Sequence, residues 1–384
     1  MSAFNHLFKK INEVRDEYNA PAIMAVIVRH GGDYTVAALT GVRKADLPGN
    51  NNNVIQGDDK FCLGSCSKPV SGYLIAYFIQ QGLFGWNKKI NDIFPEFQNA
   101  NCRKHYNIRD NYLNADVAQM MTHTAYFPWA PSNSMDYMLE VNGYKPDINS
   151  SFQAEYCNNE ALMQRRYNYI VTAQQDAPMT QYQYNGGPII PSAMLERLFN
   201  KSYEQLLNEH VFDPLGMTTA GVGRLATSSS PNGTWQHSFD ANTNKFVPDE
   251  STTKKTFNYN AHAPAGSVHF TYTDAIKFLT ALFPNNGKPK LVVKKPMLDS
   301  MLPVHANGFA LSGWLSGGSG NNLYISHDGD NGVSYCRMSA WPNKGNAYIV
   351  CSNCGSNKGA TVVDAVAQEI HNMINNWTNL FPGE

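Results

Sequence analysis

The strand-like stretches of this chain sit at its two ends, with a helical and loop-rich stretch between them. Near the start, the apolar run Ala22 to Val28 is followed by Gly31-Gly32 and then by a second run, Tyr34 to Leu39, which reads as a hairpin. Strand patterns return only late, at Leu323 to Ser326, Val333 to Trp341 and Ala347 to Ser352. Residues 5–18 form an amphipathic helical pattern, with Leu7, Phe8, Ile11 and Val14 on one face, and a last helix runs from about Ala360 to Trp377. Between them lie helical patterns at Ser65 to Gln81, stopped by Gly82, and at Glu204 to Phe212, ended by Asp213-Pro214-Leu215-Gly216. Strands must find partners, so the two ends have to meet. The expected architecture is α/β of the α+β kind: one antiparallel sheet built from both termini, flanked by the terminal helices, with an all-helical domain inserted. The expected boundaries are 1–62 and 255–384 for the sheet unit and 63–254 for the helical unit, in one catalytic unit spanning 1–384. A site would lie in the cleft between them.

Composition narrows the partners. Thirty Lys+Arg stand against 31 Asp+Glu, a net charge of −1. Nucleic acid and anionic membranes both reward a basic excess, so neither is expected as a partner. Charged residues are only 16%, and 42 asparagines carry much of the polar surface instead. Hydrophobic content of 42% excludes a disordered chain. Apolar runs such as Tyr73 to Ile79 fall far short of the ~18 residues a membrane span needs. Residues 8–16 are polar and amphipathic, not the apolar core of a signal peptide, so the sequence reads as cytoplasmic unless a leader was removed. Seven cysteines are scattered, and Cys351-Ser352-Asn353-Cys354 has no second CxxC or His pair to complete a zinc set. No metal and no cofactor are expected.

The sharpest local feature is Leu63-Gly64-Ser65-Cys66-Ser67-Lys68-Pro69. If Ser65 opens the helix, Lys68 lies three residues on and on the same face. A neutral lysine there could take the proton of the serine hydroxyl. Read blandly, these are a helix cap and a surface lysine, and SxxK alone is common. Val70, Leu74, Tyr77 and Phe78 make this a core helix, however, and a lysine at its buried start needs a reason. Its free pKa of about 10.4 must fall by roughly three units to serve as a base near pH 7. Burial can do this, and a tyrosine within reach could relay the proton to the leaving group.

Phe61 to Pro69 resembles the first motif of the class C β-lactamase and penicillin-binding serine hydrolase family. Other motifs follow in order. Gln81-Gly82-Leu83 through Ile90-Asn91-Asp92-Ile93-Phe94-Pro95 is similar to the family's helix exit. Met120-Met121-Thr122-His123-Thr124 resembles its LLTHTSG element, with Ala125-Tyr126 in place of Ser-Gly. Phe212 to Met217 resembles its PLGM signature, and Ala265-Gly266-Ser267 with Asp274 its AGG…TxxD entry. His327-Asp328-Gly329 stands where the family has KTG or HxG. The resemblance spans roughly residues 5–375.

One motif departs from the pattern. The family has Tyr-x-Asn, and here the run is Thr180-Gln181-Tyr182-Gln183-Tyr184-Asn185-Gly186-Gly187. Counting from Thr180 makes Tyr184 the catalytic tyrosine; counting back from Asn185 puts Gln183 there. The resemblance implies Ser65 as nucleophile, Lys68 and Tyr184 as its proton partners, and Asn185, His327 and Gly329 lining the cleft. The oxyanion hole it implies is the N–H of Ser65 with that of Asp330. His123 is expected to hold a loop, and the Cys66 thiol to pack inward.

The resemblance implies a two-step acyl transfer on an ester or peptide-like amide, of the esterase or D-peptidase type. The partner would be a small molecule or short peptide. Alternatives on the same scaffold are an acyltransferase or peptide-cyclising enzyme, a class C-type β-lactamase, and a non-enzymatic binding protein. HxG in place of KTG leans towards esterase or peptidase. The aromatic segment between His123 and Met179 reads equally as a lid and as simple packing.

Overall fold

The computed structural model describes residues 1–49, 52–100, 103, 110–125, 166–167, 170, 184, 186–228, 230–249, 262–283 and 292–383. Helix α1, Ala3–Tyr18, begins where the Ser2 hydroxyl accepts a hydrogen bond from the Asn5 amide at 3.2 Å, and ends at Asn19 in the left-handed region. β1 (Ala22–Arg29) and β2 (Tyr34–Gly41) follow as the expected hairpin. β1 also pairs with β13 (Asn346–Ser352), from the far end of the chain, with Ile23 opposite Ser352 and Val28 opposite Ala347. The two termini therefore build one antiparallel sheet.

That sheet has eight strands in the order β2-β1-β13-β12-β11-β10-β9-β8. The added strands are β8 (Val304–Ala306), β9 (Phe309–Ala310), β10 (Leu315–Gly317), β11 (Tyr324–Asp330) and β12 (Tyr335–Trp341). Side-chain parity divides its two cores. Ile23, Ala25 and Ile27 of β1, with Tyr348 and Val350 of β13, meet Leu7, Ile11 and Val14 of α1 and Val362, Val366 and Ile370 of the C-terminal helix Ser356–Asn375. Met24, Val26 and Val28, with Ile349 and Cys351, face the other way, into the core that holds the helix after the SxxK turn. Being covered on both faces explains why β1 reads as an unbroken apolar run.

Helix α2, Ser67–Gln80, is buried on nearly every side, from Ser67 through Ala76 and again at Phe78. A helix that is apolar all round belongs at the centre of a protein, and α2 is that centre. Gly82 ends it at φ +71°. Short strands missed in the sequence form a second sheet, β3 (Phe61–Cys62) and β4 (Gly221–Val222) either side of β7 (Val268–Phe270). A separate hairpin joins β5 (His237–Asp240) to β6 (Lys245–Pro248). Among the described residues no helix is long and apolar enough to cross a membrane.

Candidate active site

Ser65 does not open an α-helix. It sits in a 3-10 turn, Gly64–Cys66, and α2 starts two residues later at Ser67. The turn is tight because Gly64 takes a left-handed φ of +52°. A Cβ on Gly64 would lie 2.6 Å from the Gly329 carbonyl carbon and 2.8 Å from the Asp330 nitrogen. A Cβ on Gly329 would overlap the Leu63 carbonyl oxygen. The nucleophile turn and β11 thus touch main chain to main chain, which brings the Asp330 amide beside the residue preceding Ser65. Cys66 faces inward, fully buried, and its thiol donates to the His327 carbonyl oxygen at 3.0 Å.

Lys68 lies on the same side as Ser65. Its Nζ is 3.2 Å from Ser65 Oγ and 3.3 Å from the Ala265 carbonyl oxygen. The side chain is only 4% exposed, and burial pushes its pKa down to about 7. The lowered pKa lets the amine be neutral, and able to accept a proton, at a much lower pH than a free lysine. Ala265 belongs to the short helix Ala263–Gly266, so the AGS motif supplies an acceptor that orients the amine.

Tyr184 presents its ring face to Lys68, with Nζ 4.5 Å from the ring centroid. That contact favours the charged amine and works against the larger effect of burial. Around Tyr184 an aromatic wall closes: His123 at 4.5 Å, and Phe309 and His327 each at 6.2 Å between ring centroids. His123 holds this place with its backbone at φ +58°, uncommon for a residue with a side chain. Asn185, with Thr180 and Tyr182, lies outside the described residues, as do most aromatics of the 123–179 segment. Tyr167 of that segment is buried and packs on Phe94 and Phe97.

β11 supplies His327 to this wall. Ile325, His327 and Gly329 are buried on the site face, while Ser326, Asp328 and Asp330 alternate outward. The side chains of Asp328 and Asp330 therefore leave the cleft edge without added acidity. The Asp328 carboxylate accepts from Arg337 at 2.6 and 2.9 Å, and Asp330 Oδ1 accepts from the Gly332 amide at 2.7 Å and the Ser356 amide at 3.2 Å. Asp330 would contribute only its main chain. His327 is 3% exposed, and burial, with Lys68 nearby, lowers its pKa to about 4. Its neighbour Phe309 was not singled out in the sequence, where Asn307-Gly308-Phe309-Ala310 reads as a turn.

The CxxC is not a pair. Cys351 meets Cys336 across the sheet, Sγ to Sγ 3.2 Å, while Cys354 lies in the outer core beside Ser352. Among the described residues, no three His, Cys, Asp or Glu side chains gather as a metal site.

Compared with protein families, residues 7–371 match Beta-lactamase. The chain belongs to that family. Its members are serine hydrolases. A search of curated proteins finds no match. Solved structures of similar fold include that of SurE, with 15% identity, TM-score 0.71, and coverage of 96% of this chain and 75% of that one. The D-amino acid amidase of Ochrobactrum anthropi SV3, complexed with L-phenylalanine amide, shares 18% identity at TM-score 0.66, covering 97% and 100%. The D-alanine carboxypeptidase AmpC of Burkholderia cenocepacia shares 12% at TM-score 0.65, covering 95% and 98%. At such identities the likeness is one of fold, and it is the β-lactamase and penicillin-binding protein fold expected from the sequence.

Proposed function

We propose that this β-lactamase-family chain hydrolyses an ester or peptide-like amide through an acyl-enzyme on Ser65. The observation that carries the reading is Lys68 Nζ, buried and 3.2 Å from Ser65 Oγ, with its pKa brought to about 7. Lys68 takes the hydroxyl proton as Ser65 Oγ forms its bond to the carbonyl carbon. The resulting oxyanion is held by the N–H groups of Ser65 and Asp330, which the Gly64–Gly329 contact draws together. Collapse expels the leaving group, protonated through Tyr184, and water then releases the acyl group by the reverse proton path. The reacting cleft lies between the sheet unit, 1–62 and 255–384, and the helical unit, 63–254. His327 supports an amide or peptide substrate over a β-lactam, being a neutral group where a lysine would attract a β-lactam carboxylate.

The test is a hydrolysis panel of p-nitrophenyl esters, D-amino-acid amides, short D-peptides and nitrocefin. At least one ester or amide should exceed nitrocefin in kcat/KM. Nitrocefin turned over faster than every ester and amide would overturn the substrate assignment.

A further inference from the structure

His327 has a polarity that the site's geometry leaves unused. Its Nδ1 lies 2.6 Å from the main-chain oxygen of Asp328. A carbonyl oxygen only accepts, so Nδ1 carries the ring proton and donates it. Nε2 is then a bare lone pair. It is buried and has no hydrogen-bond partner among the described residues. The two nitrogens flank Cε1, so with Nδ1 turned back onto its own strand, Nε2 points away from β11. On the site face, the rings of Tyr184 and Phe309 stand 6.2 and 6.5 Å from the imidazole. An acceptor kept dry and unfilled is costly, and such groups persist where a ligand fills them.

The strand keeps this polarity in place. The Asp328 carboxylate is drawn to the far side of the sheet by Arg337, which leaves the Asp328 main-chain oxygen to His327. Moving the ring proton to Nε2 would set a lone pair against that oxygen. Low pKa keeps the ring neutral as well. Arg337, engaged with Asp328 and Asp364, is not available to a substrate carboxylate.

We propose that His327 Nε2 accepts a hydrogen bond from a neutral N–H of the substrate beside the scissile bond. The site would then select a carboxamide there and turn away a free carboxylate, whose oxygens only accept. The proposal rests on the serine-hydrolase reading and deepens it to a substrate class. A site built to pair a substrate donor discriminates strongly against the analogue without it.

The test uses two peptides identical except for a C-terminal carboxamide or carboxylate. Their Kd values are measured by calorimetry on the Ser65→Ala protein, and their kcat/KM values on the wild type. The carboxamide should bind at least about tenfold more tightly, within the discrimination such a donor–acceptor pair supports. His327→Phe should erase the preference, and His327→Lys should reverse it. A carboxylate peptide bound as well as the carboxamide, or no binding of either, overturns the proposal whether or not the variants fold. Fluorophosphonate labelling of wild-type Ser65, run alongside, separates the two readings. Labelling without the preference sinks this inference alone, while no labelling sinks the hydrolase reading and this one with it.

Discussion

Gly329 of β11 lies against Leu63, the residue two before the candidate nucleophile, so closely that no side chain fits between them. The contact ties β11 of the large sheet to the turn that carries Ser65. It sets the Asp330 amide next to Gly64, where an oxyanion formed at Ser65 needs a second donor.

Gly329→Ala should therefore cost both activity and stability. Its methyl group would push β11 from the turn and misplace the Asp330 amide. Losing one oxyanion donor lowers kcat by roughly 10²–10³-fold. Overpacking in a close-packed interior costs about 1–3 kcal/mol. Urea unfolding and kcat on the best ester would show both losses; an Ala variant with unchanged kcat would show that the contact does not position the hole.

Activity should rise with pH through a limb near 7. Lys68 must be neutral to act, and its pKa is lowered from 10.5 to about 7 by burial. The same shift affects stability with a definite sign. Between about 7 and 10.5 the unfolded lysine is protonated and the folded one is not, so stability rises with pH across that window. Below it, the full cost of a buried cation remains, on the order of 5 kcal/mol at about 1.36 kcal/mol per unit. Lys68→Met should slow acylation by about 10²-fold or more yet raise Tm most at pH 6, with the gain shrinking towards pH 10. A variant less stable than wild type at pH 6 would mean that Lys68 enters the fold favourably charged.

Tyr184→Phe should lower kcat by about 10²–10⁴-fold, the usual worth of acid–base help. KM should change little, because the ring that meets Lys68 and His123 stays. Tyr182→Phe is the matched control. If Tyr182→Phe is the crippled variant and Tyr184→Phe keeps its rate, the Thr180 count has chosen the wrong tyrosine.

Much of this fold is legible in the sequence. The apolar run 22–28 and the late strands carry the large sheet, because a doubly covered strand leaves an unmistakable pattern. β11 was harder. The sequence reads as a strand only to Ser326, since Asp328-Gly329-Asp330 has the composition of a turn. The structure continues the strand to Asp330 because Asp328 stands directly opposite Arg337 on β12 and pairs with it. Such a partner, nine residues on, has no local signature. β3, β4 and β8–β10 are two or three residues long and carry too little pattern to be seen. Within the site, SxxK marked Ser65 and Lys68, but not the 3-10 turn that holds them. Phe309 joins the wall only because β9 folds back beside His123, at 4.7 Å between rings.

The central claim is that Ser65 is the nucleophile and Lys68 its base, and intact-mass analysis after treatment with a fluorophosphonate tests it most directly. One adduct is expected on the wild-type chain, mapped to Ser65, absent from Ser65→Ala, and forming about 10²-fold or more slowly in Lys68→Met. Equal labelling of Ser65→Ala, or an adduct mapped to Ser67, would contradict it.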